Sequence, residues 1–136
     1  MDVNNICNLF MEIYNEKPYY YNYNFLQAKK IVDNWNNNGI IIICTVNNEL
    51  VGFLGGYYLN KNVLYLDKIG IKKEYRNKKF GSKMMEQLVK TNISVLLRIN
   101  DRKLENFYSN FGFFYTGIHK TNGQGTIKDR YYLYLY

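Results

Sequence analysis

One stretch of the chain carries an apolar strand through a basic turn straight into an amphipathic helix, and it occupies residues 67–82 (DKIGIKKEYRNKKFGS). The run from Val63 to Ile71 is typical of a β-strand. After the turn, Phe80, Met84 and Leu88 recur at helical spacing. The first N–H groups of a helix point out of its end, and the helix dipole favours an anion there. The stretch therefore predicts a strand followed by a helix, with a phosphate-binding turn between the two.

The hydrophobic period changes several times along the chain and predicts the order of the other elements. Asp2 can cap a first helix and Asn24 a second, while Gly39 suits the left-handed position after the second helix. Further strands are predicted over 40–46, 50–59, 63–71, 93–99, 113–118 and 131–136, with helices after Gly81 and Asp101 and a polar loop over 120–129. This order predicts an α/β chain with a mixed sheet and helices on its faces.

Composition narrows the class of protein and its partners. The chain has 136 residues, of which 47% are hydrophobic, so we expect a single domain over residues 1–136. The net charge of +7 suits an anionic partner such as nucleic acid, an acidic membrane surface or a phosphorylated small molecule. No apolar run approaches the ~20 residues of a membrane span and no secretory signal is present, so we expect a cytoplasmic protein. Cys7 and Cys44 are too far apart for a zinc pattern, and no metal is expected.

Two motifs resemble the signatures of one enzyme superfamily. Residues 75–81 (YRNKKFG) resemble the Arg/Gln-x-x-Gly-x-Gly/Ala signature of the GNAT acyl-CoA N-acyltransferases, with Arg76 at its first position and Gly81 at its last. Lys79 stands where the middle glycine is usual. Residues 101–113 (DRKLENFYSNFGF) resemble the second signature, and the likeness extends from residue 2 to about residue 118. It implies a mixed, mostly antiparallel sheet with helices on both faces, in which the usual first strand is short or missing or another chain fills its edge.

The resemblance implies that acetyl-CoA is the acyl donor. Backbone N–H groups of the signature turn would cradle its pyrophosphate, and the β-strand before that turn would lie beside its pantetheine arm. Lys79 can replace the usual glycine only if its φ stays negative, and its side chain could contact phosphate. The residues that the resemblance assigns to the cofactor are Ile69, Gly70, Ile71, Arg76, Asn77, Lys78, Lys79, Phe80, Gly81, Ser82 and Asn106.

The same resemblance nominates the catalytic groups. Tyr108 stands at the position of the usual general acid, which protonates the leaving thiolate. Asp67 matches a position that is often acidic and acts as general base, and strand alternation predicts that it shares a face with Ile69 and Ile71. His119, the only histidine, is a second candidate base, whereas Glu49 is predicted to have no chemical role.

The implied reaction is direct attack of a primary amine on the thioester, with no covalent enzyme intermediate. The acceptor, a small molecule or a peptide, would meet loops over 14–24 and 120–129, and Tyr19 to Tyr23 could line an aromatic pocket or merely fill a loop. Two alternatives stay open: a CoA-binding protein without transfer activity, and a basic nucleic-acid-binding module. The second is disfavoured because no RNA-binding strand motif or helix-turn-helix pattern occurs. A homodimer is also open, with Tyr131 to Tyr136 as an exchanged or edge strand.

Overall fold

The protein is described by a computed structural model that covers residues 2–136 and has the predicted order of helices and strands. In chain order the elements are α1 (Val3–Tyr14), α2 (Phe25–Asn38), β1 (Gly39–Val46), β2 (Glu49–Asn60), β3 (Val63–Ile71), α3 (Phe80–Val89), β4 (Ser94–Ile99), α4 (Glu105–Ser109), β5 (Phe114–Thr121) and β6 (Ile127–Tyr134). Short 3-10 turns over Lys73–Tyr75 and Arg102–Leu104 precede α3 and α4. Within residues 2–136 no helix combines the length and the hydropathy needed to cross a bilayer.

The strands form one six-stranded sheet in the order β1-β2-β3-β4-β6-β5. Only the β3–β4 pair is parallel, and the other neighbours are antiparallel. The predicted mixed, mostly antiparallel α/β class is therefore confirmed. Within the described residues no strand precedes α1, so β1 forms one edge of this sheet.

The helices cover both faces of the sheet, as expected. Phe53 points toward α1 and α2, where it packs with Phe10 and Trp35, and all three are fully buried. The next residue, Leu54, points to the opposite face and packs against Met84 and other residues of α3 and α4. Two separate cores result, and each fully buried side chain of this size stabilises the fold by about 1.5–3 kcal/mol.

The start of α2 is as predicted, but the end of α2 is not. Asn24 caps α2 and exchanges hydrogen bonds with Gln27 in a capping box. The predicted left-handed Gly39 is wrong, because its φ of −164° is extended and the residue opens β1. Glycine is required there for another reason: a Cβ would lie 1.8 Å from the carbonyl oxygen of Gly56. The close approach of β1 to β2 thus explains the glycine.

The final hairpin is longer than predicted. β5 continues to Thr121 and β6 begins at Ile127, so the predicted polar loop over 120–129 shrinks to residues 122–126. Consecutive residues of β5 are exposed on both faces of the strand, so burial does not require its sequence to alternate between apolar and polar residues, and the pattern does not mark the full length of the strand. The possibility that Tyr131 to Tyr136 forms an edge strand does not hold in this sheet, because β6 lies between β4 and β5.

Candidate active site

Strands β3 and β4 are paired at their beginnings and separate further along. Val63–Tyr65 pairs with Ser94–Leu96, after which β4 pairs only with β6. From residue 66 onward β3 keeps β2 on one side and has no strand ladder on the other. The sheet therefore contains an opening between two neighbouring parallel strands, and β3 leads from it into the basic turn.

The basic turn is fastened to the sheet by side chains. Arg76 Nε donates a hydrogen bond of 2.9 Å to the carbonyl oxygen of Ile71. Glu49 accepts one of 3.0 Å from Lys72 Nζ and another of 3.0 Å from the Tyr75 hydroxyl. Glu49, for which no chemical role is predicted, therefore anchors the turn to the start of β2. The hydrogen bonds from Lys72 and Tyr75 hold the pKa of its carboxyl below the usual range.

Lys79 adopts the left-handed conformation, with φ 67° and ψ 16°, immediately before α3. The expectation that a lysine can replace the usual glycine only with a negative φ is therefore wrong. Asn77 has a φ of 61°, so two residues of the turn have left-handed backbone. This conformation costs a lysine about 1–2 kcal/mol relative to ordinary backbone. Left-handed residues in such turns direct backbone N–H groups into a shared concavity that suits an anion.

An open cleft of about 410 Å³ lies at this turn. Its lining consists of Ile71, Tyr75, Arg76, Asn77, Lys79, Phe80, Gly81, Ser82 and Phe107, which includes most of the predicted cofactor residues. A Cβ on Gly81 would lie 3.7 Å from Phe107 and 4.0 Å from Ile69, which are ordinary contacts. Packing within the protein thus does not require this glycine, and its small size leaves room for a ligand against the start of α3.

Four predicted cofactor residues lie outside the cleft lining. Gly70 faces α1, and a Cβ there would crowd Ile13 at 3.0 Å and Phe53 at 3.1 Å. Ile69 packs on the core under α3 and α4, and Asn106 is exposed on α4. Lys78 Nζ lies 5.7 Å from the centre of the Tyr75 ring. Tyr75 and Phe107 also line the cleft, although neither is among the predicted cofactor residues. The only sequence signal for them is that each lies within one of the two motifs.

The turn carries a concentration of positive charge. Of its basic residues, only Lys72 lies within 4.0 Å of a carboxylate in the part of the chain that the structure describes. The others are Lys73, Arg76, Lys78, Lys79 and Lys83. Glu12, Glu16 and Glu74 line a neighbouring depression together with Arg76, so the acidic groups lie on the α1 side. The cleft side retains a positive field that attracts phosphate.

Tyr108 lies in α4 and is only 7% exposed. Its ring packs edge-on against Phe107 and Phe113, with centroid distances of 5.0 and 5.9 Å. Burial first, and the nearby Tyr19 second, raise the pKa of Tyr108 to about 12. The hydroxyl therefore stays protonated through neutral pH.

Tyr14 links α1 to β3 at the opening, a role that sequence reasoning missed. Its hydroxyl donates a hydrogen bond of 3.1 Å to the carbonyl oxygen of Ile69. Burial, and then the nearby Tyr19, Tyr108 and Asp67, raise its pKa well above the usual value. In the sequence Tyr14 follows Phe10 at helical spacing, a pattern that indicates core packing alone.

Asp67 is held by two side chains. Its Oδ2 accepts a hydrogen bond of 3.0 Å from Trp35 Nε1, and its Oδ1 lies 3.8 Å from Lys68 Nζ. The predicted common face with Ile69 and Ile71 is wrong, because the β2–β3 register shifts at Gly55/Gly56 and makes Asp67 an extra residue in β3. Asp67 consequently reaches α2, whereas Ile69 and Ile71 pack on the opposite core.

The second candidate base lies on the outer hairpin. His119 is exposed on β5, where its Nδ1 is 2.6 Å from the Tyr115 hydroxyl. Within residues 2–136 no three His, Cys, Asp or Glu side chains cluster in a way that could hold a metal ion.

Several solved structures have the same fold as this chain. Aminoglycoside 6'-acetyltransferase type Ii is 20% identical, with a TM-score of 0.77 over 99% of this chain and 94% of that chain. An aminoglycoside 6'-N-acetyltransferase complexed with coenzyme A is 16% identical, with a TM-score of 0.75 over 96% of this chain and 88% of that chain. The ribosomal-protein-S18-alanine N-acetyltransferase from Escherichia coli is 14% identical, with a TM-score of 0.74 over 94% and 86% of the two chains.

At identities this low, the TM-scores show a shared fold and no more. No curated protein sequence gives a significant match to the chain. The model of the Acetyltransferase (GNAT) family, however, matches residues 4–113, which include β3, the basic turn and α4. The chain therefore belongs to the GNAT acetyltransferase family.

Proposed function

We propose that the protein transfers an acetyl group from acetyl-CoA to a primary amine by direct attack of the amine on the thioester. The observation that carries this proposal is the opening between β3 and β4, with the basic turn at one end and the Tyr14 and Tyr108 phenols beside it. One structure with the same fold is complexed with coenzyme A, which supports the choice of donor.

The residues of the turn suit the phosphates of the donor. The cleft provides left-handed backbone at Asn77 and Lys79, free space beside Gly81, and the cationic side chains of Arg76 and Lys79. Bound there, acetyl-CoA would supply an activated acetyl thioester. Lys79 and Ser82 would hold the pyrophosphate, and the unpaired side of β3 would run along the pantetheine arm.

Tyr108 is proposed to assist departure of the thiolate. The amine nitrogen forms a bond to the acetyl carbon, the carbon–sulfur bond breaks, and the proton that this nitrogen loses on becoming an amide goes to the thiolate. With a tyrosine pKa of about 12 and a thiol pKa of ~8.5 in water, full proton transfer would be uphill by about 5 kcal/mol. Tyr108 therefore acts first as a hydrogen-bond donor to the sulfur. Burial raises the pKa of a thiol as well, which brings the two groups closer.

Asp67 is proposed to receive the ammonium group of the acceptor. A carboxylate offers about four lone-pair directions, so Trp35 and Lys68 leave it with acceptor capacity. The amine must lose a proton before it attacks, and Asp67 would accept that proton directly or through water.

A CoA-binding protein without transfer activity is the second candidate. The hydrogen bond from Trp35 and the proximity of Lys68 favour it, because both compete with an amine for Asp67. Titration calorimetry with acetyl-CoA, followed by a thiol-release assay over a panel of primary amines, separates the two candidates. Binding with amine-dependent thiol release supports the enzyme, binding without release on any amine supports the second candidate, and no binding contradicts both.

A further inference from the structure

Three tyrosines form a continuous aromatic surface beside the opening, and we call it the tyrosine wall. Tyr14 and Tyr19 have ring centroids 5.0 Å apart, and Tyr19 and Tyr21 have centroids 5.6 Å apart. Tyr21 is also stacked on Tyr14 at 6.4 Å. The rings therefore contact one another in a triangle.

Hydrogen bonds fix the loop that carries the wall. Tyr21 N donates to the carbonyl oxygen of Tyr14 at 2.9 Å, and Tyr19 N donates to that of Glu16 at 2.9 Å. The Asn15 side chain bonds both the N–H and the carbonyl of Tyr23, at 2.6 and 2.8 Å. Because the loop is tied to the end of α1, binding a ligand against these rings requires little further ordering.

The wall runs from the reaction centre to solvent. Its inner end is Tyr14, 5% exposed, whose hydroxyl contacts Ile69. Its outer members are Tyr19 and Tyr21, which are 42% and 51% exposed. Tyr19 also lies close enough to Tyr108 to influence its ionisation. Because Tyr19 and Tyr21 contact Tyr14, whose hydroxyl reaches β3 at the opening, a ligand whose reactive end enters the opening would lay its body along these two rings.

The charges around the wall limit the charge of that ligand. Asp67 lies near Tyr14 and Tyr23 and offers one carboxylate for one ammonium group. Lys68 Nζ lies 5.9 Å from the centre of the Tyr14 ring and adds a positive charge on the same side. A second ammonium on the ligand would be repelled by this lysine, and Glu16 and Lys17 at the start of the loop carry opposite charges and so give it no net attraction.

We propose that the acceptor is a primary amine with a single positive charge and an aromatic body, bound against Tyr19 and Tyr21 with its amine directed toward Asp67 and Tyr108. Flat π-systems stack on tyrosine rings better than saturated groups of equal size. This inference rests on the proposed acetyl transfer, because it assigns the acceptor of that reaction.

Equilibrium binding tests the inference without depending on turnover. Titration calorimetry would compare 2-phenylethylamine, 2-cyclohexylethylamine and spermidine on the full chain saturated with CoA. We expect 2-phenylethylamine to bind about three- to tenfold more tightly than its saturated counterpart, and spermidine to bind most weakly. Tyr19→Ala and Tyr21→Ala should each remove that preference, while Tyr58→Ala, at a tyrosine 41% exposed on β2, should keep it.

Equal affinity of the two ring amines, tighter binding of spermidine, no amine binding, or a preference that survives both wall variants overturns the inference. Unchanged CoA affinity of the variants verifies that they remain folded, and Tyr19→Phe should retain the preference if an alanine variant fails to fold. Preferential binding of 2-phenylethylamine without thiol release on any primary amine would preserve the wall as a binding site and contradict the acetyl-transfer proposal.

Discussion

The Tyr14 hydroxyl donates a hydrogen bond to the carbonyl oxygen of Ile69, and this 3.1 Å contact joins α1 to β3 where the sheet opens. It uses a carbonyl of the strand that lacks a neighbour on the β4 side. The contact thus stabilises the open form of the sheet and places a tyrosine ring at the inner end of the tyrosine wall.

Replacement of Tyr14 tests this contact. Tyr14→Phe keeps the ring and removes the hydrogen bond, so we expect the free energy of unfolding to fall by about 1 kcal/mol. Urea denaturation followed by circular dichroism measures the change, with the exposed Tyr58→Phe as the control. Equal stability of the two variants would contradict the assigned role.

Lys79 combines a strained backbone with a charge at the cleft, and two variants separate these effects. Lys79→Gln removes the charge and keeps a side chain on the left-handed residue, so acetyl-CoA binding should weaken about three- to tenfold. Lys79→Gly should weaken binding similarly, but should raise the free energy of unfolding above that of Lys79→Gln by roughly 1 kcal/mol. Calorimetry and urea denaturation measure both quantities. Tighter acetyl-CoA binding by Lys79→Gly would mean that the lysine obstructs the cleft.

The buried tyrosines predict a loss of stability at alkaline pH. The pKa of Tyr108 is about 12 in the folded protein against a usual value of 10.0. Because the folded state retains this proton more strongly, its stabilising effect is complete below pH 10 and is lost as the pH rises toward 12. Tyr132, with a pKa raised to about 12 by burial and by Glu105, acts in the same direction.

Unfolding measured across that range checks the prediction. The free energy of unfolding of the native chain should fall between pH 10 and about 12, and Tyr108→Phe should reduce the slope. Tyr58→Phe is the control for removal of an exposed tyrosine. A slope unaffected by Tyr108→Phe would show that Tyr108 does not titrate in this way.

Gly55 tests the packing that orients α2. A Cβ there would lie 2.0 Å from the Trp35 indole, whereas Gly123 has no heavy atom within 4 Å of the equivalent position. We expect Gly55→Ala to lower the free energy of unfolding by about 3 kcal/mol and Gly123→Ala to change it little. The indole also holds Asp67, so Gly55→Ala should reduce any transfer activity more than Gly123→Ala does. Equal thermal unfolding midpoints would contradict this packing.

Much of the fold could be predicted from the sequence because its signals are local. The caps at Asp2 and Asn24 and the period changes along the chain act within a few residues, and they match the observed helices and strands. The signature turn was recognisable for the same reason, since β3, the turn and α3 follow one another directly.

The errors arise where distant segments meet. A Cβ on Gly39 would clash with the backbone of Gly56, and a Cβ on Gly70 would crowd Ile13 and Phe53. None of these neighbours is near in sequence. The bulge that turns Asp67 toward Trp35 depends on the pairing of β3 with β2. The tyrosine wall likewise needs α1 placed against β3, so a tyrosine-rich loop alone could not show it.

Thiol release from acetyl-CoA in the presence of primary amines tests the proposed acetyl transfer itself. We expect the native chain to release CoA thiol only when an amine is present, and Tyr108→Phe to lower kcat by at least about tenfold with unchanged affinity for acetyl-CoA. Thiol release that is absent with every amine, despite acetyl-CoA binding, would contradict the proposed transfer.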